Sequence, residues 1–155
     1  MELHLKEFLN FRKNIVIPNV SWGMFSHECD LIRLTPSGYC SEIEIKISLA
    51  DLKKDSKKRH NHVDGNSYRT NKIKYLYFAI PEYLEKHINL IPDRAGILML
   101  RERKREYYSD IISIEETRKP TPQSNYKFSI EERIRLLELM SMRIWTLKKK
   151  LSKLL

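Results

Sequence analysis

Residues 26–48 read SHECDLIRLTPSGYCSEIEIKIS, and four ionisable side chains in that stretch are spaced for chemistry. Glu42, Glu44 and Lys46 alternate with Ile43, Ile45 and Ile47. Successive side chains of a strand point to opposite faces, so one face is isoleucine and the other is two carboxylates and an amine. A solvated strand face is the common origin of such a pattern, and Glu-x-Lys alone arises often by chance. Asp30 changes the weighing. It precedes Glu44 by a thirteen-residue gap that contains the turn residues TPSG. A hairpin closed by that turn brings the Asp30 carboxylate beside Glu44. Two converging carboxylates favour a hard divalent cation, and Mg²⁺ is characteristically held by one or two of them plus waters and a substrate phosphate.

The elements that must position these groups are legible on either side. Leu5, Phe8, Leu9 and Phe11 predict a short amphipathic helix near the start. NIVIPNV reads as a strand interrupted by Pro18, ECDLIRL as a second and YCSEIEIKI as a third, the last two forming a hairpin. Ser48 followed by Asp51 predicts an N-cap, so a helix starts just after Lys46 and runs through DLKKDSKKRH to a break at Asp64-Gly65-Asn66. Its positive end faces the same neighbourhood as Glu44. KIKYLYFAI is an apolar strand, EYLEKHINL a short helix ended by Pro92, and AGILML a buried strand. RERKREYYSDIISIEE is a candidate extension of the sheet, and KPTPQSN reads as a linker. The expected domain organisation is a core over 1–114, a linker over 115–128, and a helix over 129–155.

The fold class is therefore α/β: a mixed sheet of about four to five strands flanked by helices, plus a long C-terminal amphipathic helix. In that helix Ser129 and Glu132 make a capping box, and Ile130, Leu137, Ile144 and Leu151 recur every seven residues. Met140, Leu147 and Leu154 fill the second core position, with Arg133 breaking it. Packing on the chain's own sheet is the leading expectation, and a homodimeric coiled coil the other.

Composition bounds the partner. The 155 residues carry a net charge of +9, and 41% are hydrophobic, which suits a globular domain. No run approaches the roughly 20 apolar residues of a membrane span, and the N-terminus lacks secretory-signal features, so no membrane association and a cytoplasmic location are expected. Residues 53–74 concentrate Lys53, Lys54, Lys57, Lys58, Arg59, Arg69, Lys72 and Lys74 against Asp55 and Asp64. Such clustering points to a polyanion, most often nucleic acid. Cys29 and Cys40 are expected as reduced thiols. Zinc on His27, Cys29 and Cys40 is conceivable, but the spacing fits no trusted pattern. His60-Asn61-His62 spells HNH, yet nucleases of that name take those residues from separated positions. Trp22 and Trp145 read as packing residues, as do Tyr75 and Tyr77.

An Asp, a gap, then Glu-x-Lys on the next strand followed by a helix resembles the PD-(D/E)xK nuclease superfamily, whose core has the same order of helix, three strands, helix and strand. CDLIRL, EIKISLADLKKD, KYLYFAIP and AGILML are similar to the MmcB-type DNA-repair nucleases and related phage proteins, over roughly residues 1–100. Cys29 stands where the motif name has proline. The resemblance implies a restriction-endonuclease-like core and metal-assisted phosphodiester hydrolysis in DNA repair or phage DNA metabolism. It implies Asp30 and Glu44 as ligands of Mg²⁺, for which Mn²⁺ would substitute, with the Ile45 carbonyl as a further ligand. Lys46 would orient the attacking water or stabilise the transition state. Glu7, ahead of Glu2, is the candidate acid from the first helix, and Glu42 and Ser48 are candidate supporting groups, with Glu42 at the rim as the alternative. Lys53, Lys54, Lys57, Lys58, Arg59, Arg69 and Lys72 would contact DNA. The competing expectation is a catalytically silent DNA-binding or scaffold protein that retains the fold.

Overall fold

Six strands form one sheet in the simple order β1 to β6 in the computed structural model, which describes residues 1–20, 23–25, 27–56, 72–104 and 111–153. The strands are β1 (Ile15–Val20), β2 (Cys29–Leu34), β3 (Cys40–Ile45), β4 (Ile73–Pro81), β5 (Gly96–Arg103) and β6 (Ile111–Arg118). Chain connection dictates their directions. The Thr35–Gly38 turn, closed by the Gly38 N–H on the Thr35 carbonyl at 2.9 Å, makes β2 and β3 antiparallel. Gly38 takes φ +91°, a left-handed conformation that favours glycine. A helix, α2 (Leu49–Ser56), lies between β3 and β4, and a 3-10 helix, η1 (Glu82–Leu90), between β4 and β5. Both pairs are accordingly parallel. β6 returns antiparallel to β5.

Alternation sorts the side chains between two faces. Ile43 and Ala79 pack with Leu5 and Leu9, brought by helix α1 (Glu2–Phe8). The opposite face carries Phe78 and Ile80 against Leu52 of α2 and Leu84 of η1. Ile17, Ile32 and Leu34 meet Phe128 there together with Leu136, which the C-terminal helix α3 (Ile130–Leu151) brings. Burying a side chain such as Leu136 stabilises the fold by about 2 kcal/mol.

Four expectations are corrected. The sheet has six strands rather than four or five, because the sparsely apolar segment Ile111–Arg118 pairs along β5. Glu115–Arg118, assigned to the linker, are therefore strand. The chain after them is held against the body by hydrogen bonds from Thr121 N to Arg94 O, Gln123 N to Lys74 O and Phe128 N to Gly38 O. The face of α3 is also corrected. Leu136 is fully buried, with Leu139 and Met140 packed beside it, whereas Ile130, Leu137, Ile144 and Leu151 are exposed. Trp145 is likewise 67% exposed, with the Lys148 amine 5.3 Å from its ring, and does not pack in the core. Trp22 lies outside the described residues. Among the described residues no helix is long and apolar enough to cross a membrane.

Candidate active site at the end of strand β3

The hairpin does bring the two predicted carboxylates to one end of the sheet. Leu31 pairs with Ile43, and Asp30 and Glu44 are the next residues beyond that pair on their strands. Asp30 accepts the Ile45 backbone N–H through Oδ2 at 2.8 Å. Glu44 lies beside Phe78 of β4 in the ladder. Lys46 follows where β3 ends, its backbone N–H held by the Ala79 carbonyl at 3.0 Å. Its Nζ reaches back to Glu44 Oε2 at 2.7 Å, and it is only 7% exposed. A buried amine needs a charge partner, and here the partner is the predicted metal ligand.

The electrostatics of the carboxylates differ. Burial pushes the Glu44 carboxyl up to about 7 against the pull of Lys46, and the charges of Glu42 and Asp30 add to the rise. Burial works the same way on Glu42, but the hydrogen bond and charge of His27 outweigh it and hold that carboxyl below its usual range. Two neighbouring acids are thus pushed in opposite directions. Such separation is characteristic of functional sites.

Beside Asp30 opens a cleft of about 480 Å³ lined by Met1, Glu2, Leu3, Asp30, Ile45, Ile47 and Asp51. It lies off the carboxyl end of a parallel strand and beside the start of the following helix, where open α/β sheets characteristically bind ligands. Ile47, on the expected all-isoleucine face, is 61% exposed and borders this opening instead of entering the core. Its carbonyl accepts the Tyr83 hydroxyl, which ties η1 to the rim.

Several supporting assignments change. Glu7 is largely exposed and pairs with Lys6 at 3.1 Å, while Glu2, ranked second in the sequence, is the α1 acid that lines the cleft. Ser48 is exposed and caps α2 by accepting the Asp51 N–H at 3.1 Å. Glu42 is 4% exposed, so it is neither wet nor at the rim, and its Oε1 lies 2.5 Å from His27 Nε2. Asp51, read in the sequence only as part of a helix start, joins Asp30 at the cleft.

The basic cluster divides. Lys53 and Lys54 are exposed on α2. Lys72 is committed elsewhere: its Nζ bonds Glu132 Oε1 at 2.6 Å and lies over the Tyr126 and Phe128 rings, so it anchors the start of α3. Lys57, Lys58, Arg59 and Arg69 lie outside the described residues, as do His60 and His62. Cys29 and Cys40 are buried and free. Cys40 directs its thiol at the neighbouring Ser41 carbonyl, 3.9 Å away, and among the described residues His27 and Cys29 group with Glu42 rather than with Cys40, a grouping that spacing along the chain offers no reason to expect.

No protein-family model and no curated protein matches the chain. Among solved structures the chain is similar to a protein of unknown function from Silicibacter pomeroyi, 17% identical, with a TM-score of 0.55. The match covers 96% of this chain and 86% of that one, so the likeness is one of fold across the mixed sheet and its flanking helices.

Proposed function

We propose that the chain is a Mg²⁺-dependent DNA nuclease that hydrolyses phosphodiester bonds, in DNA repair or phage DNA metabolism. The observation that supports this reading is that Asp30 bonds the Ile45 N–H at the end of β3, next to Glu44 with its bound, buried Lys46, while Asp30 and Ile45 also line the open cleft. Asp30, Glu44 and the Ile45 carbonyl supply hard oxygen donors suited to Mg²⁺ or Mn²⁺. A cation there lowers the pKa of a bound water and offsets phosphate charge. Lys46, whose amine bonds Glu44 Oε2, would donate to the attacking water or to the phosphate oxygens. Lys53 and Lys54 on α2 add positive charge to the approach of a polyanion.

The test is cleavage of labelled single-stranded, duplex and branched DNA with Mg²⁺ or Mn²⁺, wild type beside Asp30→Ala, Glu44→Ala and Lys46→Ala. Cutting by wild type alone supports the assignment. Equal cutting by Glu44→Ala refutes it, and metal-independent DNA binding by all four proteins without cutting favours a silent scaffold.

We also propose that the exposed stripe of α3 pairs with a second copy of the chain. Glu131 stands in the first turn and Lys148, Lys149 and Lys150 in the last, so an antiparallel pair brings acid to base at both ends. Light scattering should give a dimer for wild type and a monomer for Leu137→Glu/Ile144→Glu. A wild-type monomer at tens of micromolar removes the proposal.

A further inference from the structure

We propose that His27 Nε2, Cys29 Sγ and a carboxylate oxygen of Glu42 form a three-ligand site for a borderline-soft divalent cation of the zinc class, distinct from the all-oxygen set at Asp30 and Glu44. The three ligand atoms lie within 4.8 Å of one another. Cys29 opens β2 and His27 sits in the bend two residues before it, while Glu42 comes from β3. A lone His-x-Cys carries no signature, and the hairpin brings Glu42 to it.

Burial argues that the arrangement is built. Glu42 is 4% exposed and Cys29 is fully buried, packed among Ile32, Cys40 and the rest of that apolar cluster. A carboxylate in such surroundings requires a charge partner or a cation. His27 provides the first at 2.5 Å, and its side chain remains 38% exposed, so the cluster has one open side. Three protein ligands with an open fourth position is the pattern of zinc sites that admit water or substrate. The donor types select against magnesium, since imidazole and thiolate favour zinc, cobalt and their neighbours.

The distances match a tetrahedral centre after one small movement. Cys29 Sγ lies 3.7 Å from His27 Nε2, close to the roughly 3.6 Å that tetrahedral zinc imposes on sulfur and nitrogen ligands. His27 Nε2 and Glu42 Oε1 stand at hydrogen-bond separation and must part by about 0.8 Å when a cation replaces the proton between them. His27 precedes the strand, so its ring can make that movement without disturbing the ladder.

Cobalt(II) titration of the full chain is the experiment, because a cobalt–thiolate bond gives a near-ultraviolet charge-transfer band that oxygen and nitrogen ligands do not. Wild type is expected to bind one equivalent with that band and with tetrahedral visible bands, and zinc should displace it. Cys29→Ala should lose the near-ultraviolet band. His27→Gln, at a half-exposed position that leaves the core intact, should bind at least tenfold more weakly. Asp30→Asn should retain both band and affinity, which separates this site from the one proposed for catalysis and makes the result independent of nuclease activity. Circular dichroism verifies the fold of each variant, and His27→Gln decides alone if Cys29→Ala fails to fold. Absence of the thiolate band in wild type, or its persistence at wild-type affinity in His27→Gln, overturns the proposal and leaves His27 and Glu42 as a simple hydrogen-bonded pair.

Discussion

Glu44 gives the site a stability signature opposite to that of an ordinary carboxylate. Its folded pKa stands near 7, against 4.5 for a solvated glutamate. Between those values the folded protein holds a proton that the unfolded chain has released, so stability falls as pH rises. Above pH 7 both states are ionised and the fall ends. From pH 5 to pH 7 the loss attributable to Glu44 amounts to about 2 kcal/mol, since each pKa unit is worth about 1.4 kcal/mol and the window spans most of the shift. For a domain of this size that is roughly 4–8 °C in Tm. The assay is urea or thermal unfolding of wild type and Glu44→Gln at half-unit steps from pH 5 to 8, without divalent metal. Glutamine cannot titrate, so the wild-type minus variant difference should slope downward to pH 7 and then flatten. Adding Mg²⁺ at pH 8 should raise wild-type stability more than that of the variant, because a cation favours the carboxylate that burial disfavours. A flat difference across the whole range, or one that rises with pH, refutes the burial argument for this residue.

Packing makes further predictions. Leu136→Ala should destabilise by about 2–5 kcal/mol in chemical denaturation, because its fully buried side chain joins α3 to the sheet, whereas Met142→Ala, exposed and off the proposed pairing stripe, should stay within about 0.5 kcal/mol. Gly96→Ala should lower the denaturation midpoint by the equivalent of about 1–3 kcal/mol, since an added methyl would stand 2.5 Å from the Tyr77 ring and 2.9 Å from Pro120. Lys72→Ala should increase proteolysis near residue 129 more than it lowers global stability, because its ion pair with Glu132 and its ring contacts tether the start of α3.

The order of elements was readable because each one obeys its own periodicity. Leu76, Phe78 and Ile80 alternate with Tyr75, Tyr77 and Ala79 on a strand covered on both faces, so β4 reads as a continuous apolar run. β6 was less legible: Ile111, Ile112, Ser113, Glu115 and Glu116 are mostly exposed, and a solvated edge strand lacks the apolar face that betrays the others. The C-terminal helix misleads for a different reason. Its docked face carries arginines: Arg143 bonds the Pro18 carbonyl and Arg133 packs against Gly38. Long basic side chains lay their apolar stems along such a face, so a buried face can read as polar. The seven-residue apolar repeat on the other side then reads as the core although it faces outward.

The candidate site was legible where chemistry and strand period coincide, and obscure where only tertiary contact joins the residues. Asp30, Glu44 and Lys46 could be placed from one turn and one alternation. Glu42 shares that alternation, yet nothing in the sequence distinguishes a wet glutamate from one enclosed by Cys29, Cys40 and Ile32. The distinction comes from the position of each residue along β3. Glu42 is enclosed within the sheet, Glu44 stands next to it at the margin, and Lys46 lies beyond the last paired residue with its amine turned back. The interior acid is kept ionised by His27, while the marginal acid holds its proton near neutrality. The two proposed cation sites therefore differ at these acids: burial raises Glu44, whereas Glu42 lies beside the imidazole of His27 and the thiol of Cys29. The same period-two ladder thus presents two donor chemistries in sequence, separated by a single strand residue.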